Sequence, residues 1–465
     1  MPRSFLAPPV LSTPRLAPAD VRARLARELA RVPDRGQVRR VTVPVETADA
    51  LGWLAAQPHF HKAYWHRRGA PEARAALGEA ARVDVPSLEA LPPALAPLLA
   101  QLPPEARLYG TARFETGAAP SPSWHAFGAV RFVLPRVELI VEGGAARLAA
   151  HLMPGEAAVV ALAFADALAW PVPAPPPALP LAVSREDAPD RAGWDAMIAR
   201  ALEAFAAGDL EKVVLARRAR FAFEDALDPF ALLARLQEAT PRCFHALVAP
   251  EPEAAGDGSP AAAPAFVCAT PERLFCLDGR RLETEAVAGT RPRAAGPDDA
   301  RLQEELLSNE KEQREHAYVR DAIAARLAPL SQTLDADART SAMTLARGRH
   351  LFTGFRATLR AGVSALDVLR ALHPTPAVGG TPRAAAQAAI AHAEPFDRGL
   401  YAGPLGWIGP DGAEFAVGIR SGLVRGRELS LYSGAGIVAG SDPAAEWAEI
   451  EQKIGDFASV LGLAG

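Results

Sequence analysis

An α+β fold, with large antiparallel sheets packed with helices, is the architecture this sequence predicts. Three observations predict it. Apolar runs of strand length interleave with longer helical patterns, without a fixed period or internal repeat. Several strand-like runs are joined by turns such as Leu277-Asp-Gly-Arg280 and Gly409-Pro-Asp-Gly412. Turns that short join antiparallel neighbours, because a parallel crossover needs a dozen or more residues. Finally, the 465 residues are 49% hydrophobic and 22% charged, ordinary globular usage that supports a large core without disulfides or a structural metal.

The elements follow in chain order. The opening MPRSFLAPPVL has one basic residue, prolines and no sustained apolar run, so it is a poor secretion signal. The most apolar stretch, 157–170, contains Asp166 and runs into prolines, and is too short to span a membrane. The 43 prolines are about twice the usual share. A cluster of them over 171–180 must be extended, because proline cannot continue a helix. This divides the chain into an N-terminal α+β part (1–170), a Pro-rich connection (171–189) and a C-terminal part (190–465). Within the last, helical patterns cover 190–207, 229–238, 298–327 and 442–461. Ser441-Asp442-Pro443 supplies a capping side chain and a first-turn proline for the fourth. Strand-like runs cover 212–223, 244–248, 265–268, 273–277, 281–287, 403–408, 414–420 and 428–434. Residues 250–264, rich in Ala, Gly, Pro and acids, read as an inserted surface loop.

Composition excludes several functions. Fifty Lys and Arg against 54 Asp and Glu leave a net charge of -4, whereas a nucleic-acid binder needs a basic face. Cys243, Cys268 and Cys276 are too few for a disulfide framework and lack the paired spacing of a zinc site. A reducing, cytoplasmic setting with no nucleic-acid or membrane partner is expected.

Several segments carry candidate chemistry. Glu312 and Glu315 share one helix face, as do Glu446 and Glu449, with Lys453 one turn further on. Two such helices facing each other would gather carboxylates suited to Mg2+, which prefers oxygen ligands. Either pair alone better fits a solvated charged surface. Ser433-Gly-Ala-Gly-Ile-Val-Ala-Gly440 fits an anion-binding nest or a tight turn, and lacks the ending of a phosphate loop. Gly289 and Thr290 end a strand in a polar turn that could offer N–H and hydroxyl groups to a carboxylate. His373 begins a stiff His-Pro-Thr-Pro turn, where histidine is usually a hydrogen-bonded structural residue. Lys212 opens an apolar strand, and in a partly buried site it would serve as a base; the alternative, usual for lysine, is a strand-end residue in solvent. Glu272 precedes another strand, where burial would keep it protonated as an acid; the alternative is a turn carboxylate paired with Arg273.

Taken in order, EKVVLAR, ATPERLF, ETEAVAGTRPR, EQREH, HPTPAVGG, LYAGPLGW, GIRSG and YSGAGIVAGSDPAAEWAEIEQK resemble the chorismate-utilising enzymes. That family includes isochorismate, salicylate, anthranilate and aminodeoxychorismate synthases. The resemblance covers about 190–457, and a looser likeness to isochorismate synthases extends through Tyr64-Trp-His-Arg67, Gly110-Thr-Ala-Arg-Phe114 and Trp124-His-Ala-Phe-Gly128. It implies the family fold, with a site between sheet and helices. It implies Mg2+ held by Glu315 and Glu449, with Glu312 and Glu446 close by. It implies that chorismate carboxylates meet Gly289, Thr290, Arg420, Gly434, Gly436 and Lys453, that Tyr401 and His373 line the pocket, that Lys212 activates water, and that Glu272 is the acid.

Within the family, Ala288 closes the covalent route of aminodeoxychorismate synthases, which carry lysine there. Ala317-Tyr-Val-Arg-Asp321 departs from the usual anthranilate synthase pattern, so no glutaminase partner is expected. Lys212 matches the water-activating branch, and Ala377-Val378 stands where salicylate synthases tend to carry threonine. The resemblance therefore favours an isochorismate synthase, of the menaquinone type by its long N-terminal part. The alternatives are salicylate or anthranilate synthase, or a non-catalytic protein that binds an anionic metabolite.

Overall fold

The computed structural model describes residues 18–463, except 48, 59, 118, 173, 253–262, 294–296 and 347. Most of the expected 250–264 loop thus lies outside the described residues. The strands that flank it, Phe244–Ala249 and Ala265–Thr270, pair with each other as an antiparallel hairpin.

Among the described residues the strands form two large antiparallel sheets. In the first, the path from Arg39–Pro44 through Ala145–Leu152, Val137–Glu142, Glu72–Leu77 and Lys62–His66 continues into Phe244–Ala249. It proceeds through Ala265–Thr270, Ser421–Arg425 and Glu428–Val438 to Lys212–Phe223. The second begins at Ser331–Ala336 and Gly348–Leu359 and passes through Arg281–Pro292, Arg273–Asp278, Gly412–Val417 and Pro404–Ile408. It ends on Leu108–Ala112, Val130–Leu134 and Ala81–Val85. Each sheet therefore draws strands from both sides of the Pro-rich stretch. The seams are Lys62–His66 against Phe244–Ala249 and Leu108–Ala112 against Pro404–Ile408. Residues 171–189 are not all connection, because Ala182–Ala188 pairs with the Lys212–Phe223 strand.

Four elements differ from the sequence expectation in ways that shape the site. The pattern over 298–327 predicts one helix; the structure has two, Pro297–Ser308 and Glu310–Leu327. Asn309 caps the second, its side chain accepting from Glu312 N at 3.1 Å, and asparagine satisfies a free helix-start N–H better than it continues a helix. The glycine segment is strand up to Val438 and a turn only at its end, where Gly440 has φ 88° and Ser441 N donates to Val438 O at 3.0 Å. Glu428–Val438 is a continuous strand in which Gly434 lies opposite Ala216 and Gly436 opposite Val214. The run at 281–287 continues to Pro292, with a register shift at Gly289, and the run at 414–420 stops as a strand at Val417.

Two helices cover this framework. Glu310–Leu327 packs on the Arg281–Pro292 strand and Pro443–Val460 on the Glu428–Val438 strand. The second begins as expected, with Asp442 accepting from Ala445 N at 2.8 Å and Pro443 in the first turn. It is clamped by Arg217, fully buried, whose guanidinium carbon lies 3.7 Å from the Trp447 ring centroid. The first helix brings Glu315 against Gly436 of the glycine strand, and the second brings Lys453 Nζ onto the Gly434 carbonyl at 2.8 Å.

Candidate active site

Two of the points at which the chain changes sheets carry site residues. Between Thr270 and Arg273 it passes from the first sheet to the second through Pro271 and Glu272; between Val417 and Ser421 it returns through Gly418, Ile419 and Arg420. The crossings are tied together: Val417 N donates to Glu272 O at 3.1 Å and Ala269 N to Arg420 O at 2.9 Å. Arg420 has φ 49°, a left-handed conformation uncommon outside glycine. Irregular backbone of this kind aims side chains that a regular strand would direct elsewhere.

These crossings, the Gly289 bulge, the glycine strand and the two helices surround about 650 Å³ of space, its open mouth included. Of the residues singled out from the sequence, Glu272, Gly289, Thr290, Glu315, Tyr401, Arg420, Gly434, Gly436, Glu449 and Lys453 all line it. Lys212 lies just behind this wall. It is fully buried, and its Nζ donates to Glu315 Oε1 at 3.1 Å.

Glu272 is 4% exposed. Burial pushes its carboxyl up to about 8, Glu285 adds to the effect, and Lys212, Arg68 and Lys453 oppose it. It is thus protonated at neutral pH and able to donate. It is not paired with Arg273, which turns instead to Glu414 at 3.3 Å and Glu283 at 3.6 Å.

The glycines are required by close approach. A Cβ on Gly436 would sit 2.1 Å from Glu315 Oε1 and 3.2 Å from Lys212 Cε; one on Gly434 would sit 2.9 Å from the Tyr401 hydroxyl. Gly289 has φ 71°, and a Cβ there would meet Glu312 Oε2 at 2.8 Å. Gly436→Ala should therefore push the Glu315–Lys212 pair off its position and lower kcat by about 10²-fold. Steady-state kinetics on protein with unchanged circular dichroism checks this, and wild-type turnover would contradict it.

Each of the four carboxylates faces its own cation. Glu315 takes Lys212, Glu449 takes Lys453 at 2.7 Å, Glu312 takes Arg291 at 2.7 Å, and Glu446 takes Lys311 at 2.6 Å. Burial, then the neighbouring Glu315, raises Glu312 against the pull of Arg291. Burial likewise raises Glu446 against Lys311, with Glu449 adding to the rise. Burial works to raise Glu449 too, but Lys453, then Lys311 and His350, hold it below the usual range. Glu312 and Glu446 do not line the cavity. Among the described residues no three His, Cys, Asp or Glu side chains converge as a ready metal cluster. Mg2+ does not require one, since one or two carboxylates commonly bind it alongside water and substrate oxygens. Glu315 and Glu449 are two such carboxylates on one cavity, and the donor chemistry fits a hard divalent cation.

Two expectations need correction. His373 does not line the cavity. Its Nε2 lies 3.3 Å from the Phe114 carbonyl, its ring packs edge-on to Phe114, and burial lowers it to about 4, so it is a neutral structural residue. The turn it begins contributes Ala377 and Val378 instead. Thr290 does not offer its N–H, which donates to Glu312 Oε2 at 3.2 Å; its hydroxyl remains, 3.2 Å from His350 Nδ1.

His350 is a cavity residue that the sequence pattern does not single out. Burial, then Arg420 and Lys453, lowers it to about 3, so its ring is neutral. Nδ1 lies 3.0 Å from the Gly289 carbonyl, which can only accept, so the proton sits on Nδ1 and Nε2 is left as an acceptor. The residue stands opposite Thr290 in the Gly348–Leu359 strand, and only recognition of that pairing would have found it.

A profile of chorismate binding enzymes matches residues 25–462. The chain belongs to the chorismate binding enzyme family. It is 34% identical to isochorismate synthase MenF of Escherichia coli, over 92% of this chain and 95% of the relative. The solved structure of that menaquinone-specific isochorismate synthase superposes with a TM-score of 0.83 at 31% identity, covering 95% of this chain and 99% of the other. The chain is also 34% identical to the chloroplastic isochorismate synthase of Catharanthus roseus, over 77% of its own length. It spans 63% of that longer plant relative, less than two thirds.

Proposed function

We propose that this chain is an isochorismate synthase, an isomerase that moves a hydroxyl of chorismate from C4 to C2. The observation that carries the reading is a buried Glu272, its carboxyl pushed up to about 8, on a cavity that also holds Arg420, Lys453 and Glu315, with the buried Lys212 behind its wall bonded to Glu315. Acid and base of that kind suit water addition at one carbon with hydroxyl loss at another. The alanine at 288 supports water over a covalent lysine route. Similarity to the menaquinone-specific relative supports a role in menaquinone biosynthesis. Among the described residues Cys243, Cys268 and Cys276 form no disulfide, which accords with a cytoplasmic setting. No described helix is long and apolar enough to cross a membrane.

In this reading Arg420 and Lys453 bind the carboxylates of dianionic chorismate, a local positive field in a chain of net negative charge. Lys212 acts in its unprotonated form, released from the ion pair with Glu315, and takes a proton from water as the water oxygen bonds to C2. The ring double bonds shift, the C4–O bond breaks, and Glu272 gives its proton to the departing hydroxyl, which leaves as water. Proton return from Lys212 to Glu272 closes the cycle without net gain or loss of atoms. Mg2+ held by Glu315 and Glu449, with Glu312 and Glu446 nearby, would neutralise substrate carboxylate charge.

Mg2+-dependent consumption of chorismate by the purified chain tests the proposal against a non-catalytic binder, which would bind chorismate unchanged. Glu449→Gln should raise the Mg2+ concentration needed for half-maximal rate, by about tenfold or more. An unchanged Mg2+ titration would remove Glu449 from the metal site.

A further inference from the structure

Besides the Val417 bond, the crossing that carries Glu272 is held by a residue from the N-terminal part. Arg68 follows the Lys62–His66 strand. Its Nη1 donates to the Pro271 carbonyl and to Glu285 Oε1 at 2.8 Å, and its Nη2 donates to Glu285 Oε2 at 2.6 Å. Glu285 Oε1 in turn accepts from Arg273 N at 2.9 Å. One fork-to-fork ion pair thus holds the carbonyl of the residue before Glu272 and the N–H of the residue after it. The pair is nearly dry, with the Arg68 side chain 16% exposed and that of Glu285 3%. The guanidinium also covers the Phe244 ring, 5.2 Å from its centroid. Neither Arg68 nor Glu285 lines the cavity, so neither reaches substrate.

We propose that Arg68, paired with Glu285, is a positioning residue that fixes the Glu272 crossing and screens Glu272 from the Glu285 charge. This rests on Glu272 being the acid. It gives the N-terminal part a direct share in the reaction. The charged groups that act most on Glu272 are Glu285, Lys212, Arg68 and Lys453, with Tyr401 nearby, and Glu315, His350, Arg420 and Glu449 line the same cavity. Of these, Arg68 is the cation bonded to Glu285.

The test is the pH dependence of kcat, with KM for chorismate, in Arg68→Ala, Arg68→Lys and Glu272→Gln. Arg68→Ala should lower kcat by about 10–100-fold with KM close to wild type, as expected when a reacting group is misplaced but substrate contacts survive. Its alkaline limb should move to higher pH, because an unscreened Glu285 favours the neutral form of Glu272. Arg68→Lys keeps the charge without the fork, so the limb should return to the wild-type position while kcat stays depressed. If Arg68→Ala does not fold, Arg68→Lys decides by that split. Wild-type kcat in either folded variant would overturn the proposal, as would a raised KM at unchanged kcat or an unmoved limb in Arg68→Ala. Those results with a Glu272→Gln slowed by about 10²–10⁴-fold would reject the clamp alone; near-wild-type turnover in Glu272→Gln would reject the acid assignment beneath it.

Discussion

Glu272→Gln should give a folded protein that binds chorismate and turns it over about 10²–10⁴-fold more slowly. Glutamine fills the same space and keeps a polar contact, but it has no proton to give the departing hydroxyl. Wild-type kcat should itself fall as pH rises through about 8, where the Glu272 carboxyl loses its proton. The same shift has a stability signature of known sign. Glu272 titrates near 8 in the fold against an ordinary 4.5, so its stabilising contribution is complete below 4.5 and is lost as pH rises through 8. Glutamine does not ionise, so the variant's melting temperature should gain on wild type between those values and stay higher above them. A variant with wild-type turnover, or a stability difference independent of pH, would contradict a buried, neutral Glu272.

Lys212→Met should lose activity by a comparable factor of about 10²–10⁴. It should also lose stability, by about 3 kcal/mol, because it strips a buried ion pair of one partner and leaves the Glu315 carboxylate without its cation. The two effects are separable. Lys212→Met combined with Glu315→Gln removes the stranded charge, so thermal stability should recover while activity does not. Recovery of activity in the double variant would mean that Lys212 serves only to neutralise Glu315.

Much of this site was legible in the sequence because its chemistry sits in short, ordered motifs. Lys212, Glu272, Arg420 and the two Glu pairs are separated by long intervals, and only the resemblance across eight motifs assigned them to one cavity. The strand 212–223 was readable from its apolar run, and the helix at Pro443 from its cap. What escaped was set by pairing rather than by local pattern. The glycines at 434 and 436 suggest a loop, yet the Lys212 strand beside them pulls them into a ladder where the absent side chains make room for Glu315 and Tyr401. Asn309 divides a helix whose periodicity runs past it, because the capping bond to Glu312 outweighs continuation. His373 stands in a recognisable motif but faces the Phe114 carbonyl, whereas His350 stands in no motif and faces the cavity. Arg68 lies far from every motif of the C-terminal part and reaches the Glu272 crossing only because the two parts share a sheet.

The origin of the new hydroxyl is the most direct check on the proposed chemistry. Purified chain, chorismate and Mg2+ would be incubated in 18O-enriched water with ammonia present, and the product identified by NMR and mass spectrometry. A water-activating Lys212 opposite an acidic Glu272 predicts isochorismate carrying the heavy oxygen at C2. Isochorismate without the label, or a fluorescent aminobenzoate in its place, would contradict it.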